Sequence, residues 1–142
     1  MLSETQVEFL HQHHAAAMIT THPDGTPHAV RVGVALVDRH IWTSGTLDRV
    51  RTRHLRRDPR ATLMLWDQGY GYLTLEGRVD ILEGPEIPDQ SIRLFRVMQG
   101  KAVGDRLLWN GEEKDDDEFR RIMVRERRVI YELTPGRIYG ID

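Results

Sequence analysis

Cysteine is absent from this sequence, which excludes disulfide bridges, a thiol nucleophile and any thiolate-held metal. No run of about 18 apolar residues occurs, so no membrane-spanning helix is expected. The opening MLSETQVEFLHQHH is polar and acidic, without the basic-then-apolar layout of a secretory leader, and a cytoplasmic location is expected. Lysine occurs only at Lys101 and Lys114, so arginine carries nearly all the positive charge. The glycine-rich dinucleotide and P-loop fingerprints are missing, as are the H-E-x-x-H and G-x-S-x-G motifs.

What is present is an ordinary globular composition. The 142 residues, 39% apolar and 30% charged, are expected to form one domain, 1–142, with a real core. Net charge is −2, yet six arginines crowd residues 49–60 and six acids crowd residues 112–118. A local basic cluster in a near-neutral chain suits a small anionic ligand better than a nucleic acid, which needs a broad basic face with stacking aromatics. Neither a nucleic-acid nor a membrane partner is expected.

Ser3 and Gln6 have the spacing of a capping box, so a helix is expected to open at Ser3 with Val7, Phe9 and Leu10 on its apolar face. His11, His13 and His14 follow; at a helix end they do not converge, and no metal site is expected. Ala15–Thr21 reads as a strand, Pro23-Asp24-Gly25-Thr26 as a turn, and 27–37 as the returning strand. On that strand His28, Val30, Val32 and Val34 share one face and Arg31 the other, either solvated or touching a ligand. Strands are also expected at 41–45, 61–66, 70–82, 128–134 and 137–140, with Gly77 marking a bulge. Long strands joined by hairpins and bent by glycine favour a closed antiparallel barrel over an open sheet. Helices are expected at 47–57, 88–103 and 118–127, and a mobile acidic loop at 104–117. Glu76 and Asp80 read as a solvated strand face rather than a catalytic pair.

The densest chemistry lies in IWTSGTLDRVRTRHLRRDPRATLMLW, residues 41–66. A strand ends in small hydroxyl residues, a short arginine-rich helix follows, and Pro59 stops it. Hydroxyls, free helix N–H groups and guanidinium groups then meet at one turn, which is what a phosphate needs. Arg49, Arg53 and Arg56 form a stripe at helical spacing and Arg51 lies well round from it. From the residues alone, a phosphate cradle and a solvated basic face stand as equal readings.

PDGTPHAVRV, RVRTRHLRRDPRA, GYLTLEGRVDIL and RRVIYELTPGRIYG, in that order, resemble the pyridoxamine-5′-phosphate-oxidase-like split-barrel proteins, especially the actinobacterial branch that uses the deazaflavin coenzyme F-420. The resemblance implies a mainly β fold of the FMN-binding split β-barrel type with flanking helices, and a homodimer holding its cofactor at the subunit interface. It implies an F-420-dependent oxidoreductase passing hydride between the cofactor and a small organic substrate. An FMN-dependent enzyme or a non-catalytic flavin-binding protein of the same fold is the alternative. By position, Arg49, Val50 and Arg51 would hold the cofactor phosphate with Thr43 and Ser44. Arg31 and Val32 would lie along the ring system, and Tyr72, with Tyr70 less directly, would line the opening. Relatives often carry lysine at position 51 and asparagine at position 54, where this chain has Arg51 and His54. No catalytic residue is assigned.

Overall fold

In the computed structural model, which describes residues 1–100 and 105–142, seven strands form one antiparallel sheet in the order β2-β1-β5-β6-β9-β4-β3. The elements are α1 (Glu4–Gln12), β1 (Ala15–Thr21), β2 (Pro27–Gly33), β3 (Ala35–Val37), β4 (His40–Thr46), α2 (Val50–Arg57), β5 (Arg60–Trp66) and β6 (Tyr72–Leu82). They continue with α3 (Ile87–Gln99), β7 (Leu107–Trp109), β8 (Glu112–Lys114), α4 (Asp116–Arg125) and β9 (Arg128–Gly140). The sheet is a split barrel: its two edge strands, β2 and β3, are not hydrogen-bonded into a closed ladder, and the chain crosses between them at Val34. The expected barrel is therefore present but open at one seam, because the returning strand breaks after Gly33.

Alternation along the strands builds the interior. Met18, Leu63, Leu65, Leu73, Leu75 and Tyr131 point inward and are fully buried. Phe9 and Leu10 of α1 and Leu55 of α2 join the same cluster. Ser3 and Gln6 make the reciprocal capping box that opens α1. On the outer surface, α3 covers β3, β4 and the first half of β9 through Ile87, Leu94, Trp42 and Ile130. The α4 helix packs on α3 through Phe119, Ile122 and Met123. Among the described residues no helix covers the outer face of β1, β5 and β6, where Trp66 and Tyr72 are exposed beside half-buried Ala17, Ile19 and Met64.

Several expected boundaries shift, each for a local reason. The helix expected from residue 47 starts at Val50, because Leu47 and Asp48 are held as a turn after β4: Thr46 Oγ1 donates to Asp48, and the Leu47 N–H donates to the Arg127 carbonyl. Residues 128–140 form one strand rather than two, since the Pro135-Gly136 bend is absorbed as a bulge opposite Glu76 and Gly77. A Cβ on Gly77 would lie 2.0 Å from the Thr134 carbonyl oxygen, which explains a glycine there. The acidic stretch expected to be a mobile loop contains the β7–β8 hairpin, and α4 already begins at Asp116. Asp115 caps α4 with Glu118 in return, so the acids sit where the helix dipole favours them. Described helix α3 ends at Gln99, and the part of the expected helix at 101–103 lies outside the described residues. Glu76 is engaged by Arg137 and by the Tyr139 hydroxyl, while Asp80 is exposed, so the two form no dyad.

Candidate functional site

Strand β4 delivers Thr43 and Ser44 to the start of α2, and α2 turns Arg51 back over the strand that precedes it. Arg51 Nη2 donates to the Ser44 carbonyl at 3.0 Å, and its guanidinium lies 5.4 Å from the centre of the Tyr131 ring. Burial lowers the Arg51 pKa from its ordinary value, yet a guanidinium stays charged throughout the accessible range. Among the described residues no carboxylate pairs with it.

Three buried polar atoms in this short stretch have no hydrogen-bond partner: Thr43 Oγ1, Ser44 Oγ and Arg51 Nε. Buried donors and acceptors are normally satisfied, because leaving one unpaired costs roughly 1–3 kcal/mol. Three together beside a helix start, with a cation among them, have the donor chemistry of an anion seat. Strand alternation separates the two hydroxyls, however. Thr43 shares the barrel-interior face with Ile41 and Tyr131, and Ser44 shares the α3 face with Trp42 and Ile130.

The remaining arginines sort themselves by partner. Arg49 is the N-cap residue of α2, exposed and without a side-chain cap bond, rather than a residue of the first turn. Val50 opens the helix and is exposed. Arg53 donates to the Asp48 carbonyl and Arg56 pairs with Glu83, both at the surface. Their stripe is a solvated face, and Arg51 alone turns inward.

Arg31 and Tyr72 belong to a second region. Arg31 is level with Ala17, Met64 and Thr74 across the sheet, and Tyr72 is two residues from Thr74 on the same outer face. Val32 faces the opposite way, buried in the barrel core, so it offers a ligand only its backbone. Thr43 is level with Tyr131 and Ile81, nine residues along β6 from Tyr72, or roughly 30 Å of strand. Within one chain, Tyr72 therefore does not meet Thr43 and Ser44. Larger clefts lie elsewhere, including one of about 560 Å³ between the N-terminal residues and the β3–β4 hairpin.

Residues that pattern alone does not reveal fix the turn from β4 into α2. Thr52, fully buried, donates to the Thr46 carbonyl at 2.8 Å and bonds the Tyr131 hydroxyl through the same oxygen. With its proton given to the carbonyl, Thr52 Oγ1 accepts from Tyr131. Gly45 permits this: a Cβ there would lie 2.3 Å from the tyrosine oxygen. The glycine in the 43–46 run was the one signal in the sequence that something close crosses the strand. Among the described residues no cluster of three or more histidine or carboxylate side chains has metal-holding geometry.

Solved structures share this fold. The conserved hypothetical protein Rv2991 from Mycobacterium tuberculosis superposes with a TM-score of 0.76 at 23% identity, covering 100% of this chain and 86% of that one. A protein described as an F420 reductase gives 0.71 at 21%, covering 97% and 98%. A FAD-binding protein from Mesorhizobium loti gives 0.63 at 16%, covering 99% and 93%. The family model for pyridoxamine 5′-phosphate oxidase matches residues 2–142, and the chain belongs to that family.

Proposed function

We propose that this chain is a flavin-type oxidoreductase of one domain, using F-420, and that the turn from β4 into α2 seats the phosphate of its cofactor. The observation that carries the reading is the unpartnered buried Arg51 Nε at a helix start, with an unpartnered buried hydroxyl on each side of the adjoining strand, Thr43 Oγ1 and Ser44 Oγ, and no carboxylate paired with Arg51 among the described residues. The likeness to an F420 reductase favours the deazaflavin. The likeness to a FAD-binding protein keeps FMN as the second reading.

The residues fit such a tail. Arg51 supplies a fixed charge, oriented by the Ser44 carbonyl and by the Tyr131 ring beneath it. Arg49, exposed at the N-cap, closes over the anion, and the free N–H groups at Val50 and Arg51 add the positive end of the helix. Because Thr43 and Ser44 face opposite ways, one hydroxyl donates to the phosphate and the other serves elsewhere. A bound flavin or deazaflavin supplies hydride transfer to or from a small organic molecule stacked on its ring. The chain's own part is to hold and orient.

Arg31 and the backbone of Val32 would contact the cofactor's ring system, and Tyr72 would line the opening. The roughly 30 Å of strand between Tyr72 and Thr43 is bridged by a second copy, each subunit lending its Tyr72 region to its partner's phosphate seat. The uncovered outer face of β1, β5 and β6, with Trp66 at 45% and Tyr72 at 39% exposure, supports a homodimer. The test is a side-by-side fluorescence titration with F-420 and FMN. One of them is expected to bind below roughly 100 μM, equivalent to about 5–6 kcal/mol, and F-420 more tightly. Failure of both removes the cofactor reading, and tighter FMN binding reverses the order.

A further inference from the structure

Away from the arginine seat, three histidines distant in sequence meet in space. His22 follows β1, His28 lies in β2 and His54 in α2. Their ring centres are 5.1 Å (His22–His28), 4.7 Å (His22–His54) and 5.0 Å (His28–His54) apart, every pair edge to face. His54 is buried, with Nδ1 2.9 Å from Thr20 Oγ1. His28 Nδ1 is buried without a partner. The rings pack on one another and are not arranged around a cation.

The charges acting on His54 are all basic: His22, His28, Arg53 and Arg57. Arg57 is fixed against the hairpin by its bond to the Thr21 carbonyl. Asp24, in the β1–β2 turn, accepts from the Thr26 N–H and hydroxyl through Oδ1, and its charge also acts on His22. Asp58, at the C-cap of α2, is paired with Arg60. From β6, which also packs on α2, Arg78 and Asp80 occupy exposed positions. Asp24 can offset a first proton at His22, and among the described residues no acid acts on His54 to offset a second.

We propose that His22, His28 and His54 form a proton-operated latch that holds the second half of α2 on the β1–β2 hairpin when neutral and releases it when more than one ring is charged. Burial, then the charges of His22 and His28, hold His54 below the ordinary histidine range. A cation-forming group depressed in the folded state stabilises the fold above its unfolded value, about 6.5, and that contribution is lost as pH falls toward the folded value. Acid therefore opens this end of the helix. The latch stands whether or not a flavin binds at the other end.

Histidine-ring NMR titration and amide exchange on the intact chain test it, with His54→Asn as the variant that cannot take up the proton. From pH 7.5 to 5.0, after correction for intrinsic exchange, residues 54–57 are expected to lose protection about tenfold more than the centre of β5. His54→Asn is expected to abolish that excess, and His54 is expected to titrate below about 6.5. Equal loss in the variant, or titration of His54 at or above that value, overturns the latch. Should His54→Asn fail to fold, His22→Asn at a half-buried position serves. The His54 titration is then expected to move up, and an unmoved titration overturns the coupling.

Discussion

At its start, helix α2 carries Arg49 as N-cap and Arg51 in the first turn, where Arg51 Nε and the nearby Thr43 and Ser44 hydroxyls find no partner among the described residues. Two turns on, the same helix ends in His54, Leu55 and Arg57, which bond Thr20, fill the barrel core and bond the Thr21 carbonyl. One end has donors and charge left over; the other has used nearly everything on the fold. Unspent polar capacity in a buried place is what a ligand site needs, whereas a satisfied end serves stability. The arginines look alike in sequence, and their partners are what tell them apart.

The largest effect is expected where the unspent end is built. Gly45→Ala drives a Cβ into the Tyr131 hydroxyl and should destabilise the fold by about 3 kcal/mol, read by denaturant unfolding. A cost below about 1 kcal/mol would mean that Tyr131 and Thr52 yield freely and do not fix the seat. Next, replacing Arg49 and Arg51 together with alanine should weaken F-420 or FMN about 100-fold, roughly 2–3 kcal/mol, as seen by titration. Thermal stability should change less than affinity, since Arg51 gives the protein only one hydrogen bond and its contact with the Tyr131 ring.

The opposite pattern is expected at the other end. His54→Ala removes a buried ring and its bond to Thr20, so stability should fall by about 2 kcal/mol while cofactor affinity stays within twofold. The smallest effect belongs to Arg56→Ala, whose pair with Glu83 is half-exposed on both sides: less than about 0.5 kcal/mol by the same unfolding measurement. If Arg56 matters more to the ligand than Arg51 does, the division of the helix is wrong.

Much of this was legible before any coordinates. The α1 capping box, the Pro23–Thr26 turn, the Gly77 bulge and the outward Arg31 all follow from local rules of spacing and backbone geometry, and each is present. Arginines crowded after a small-residue strand end marked the turn where the unpartnered buried atoms lie. What local rules missed depends on distant partners. The helix starts at Val50 because Leu47 is tied to Arg127, eighty residues away in sequence. The three-histidine cluster joins β1, β2 and α2, whose spacing carries no pattern. Strand alternation, visible in the sequence, already implied that Thr43 and Ser44 face apart, but not which face Arg51 would choose. That choice is set by Tyr131, placed beneath it by β9.

The most direct measurement of the phosphate seat compares ligands that differ only in the tail. FMN against riboflavin, and F-420 against its tail-less chromophore, titrated into the wild-type chain and into Arg51→Ala, isolate what the phosphate contributes. The phosphorylated member of each binding pair should be favoured at least 30-fold, about 2 kcal/mol, by the wild-type chain, and that preference should largely vanish in Arg51→Ala. Equal binding of both members by the wild-type chain, or a preference that survives the loss of Arg51, would contradict the assignment.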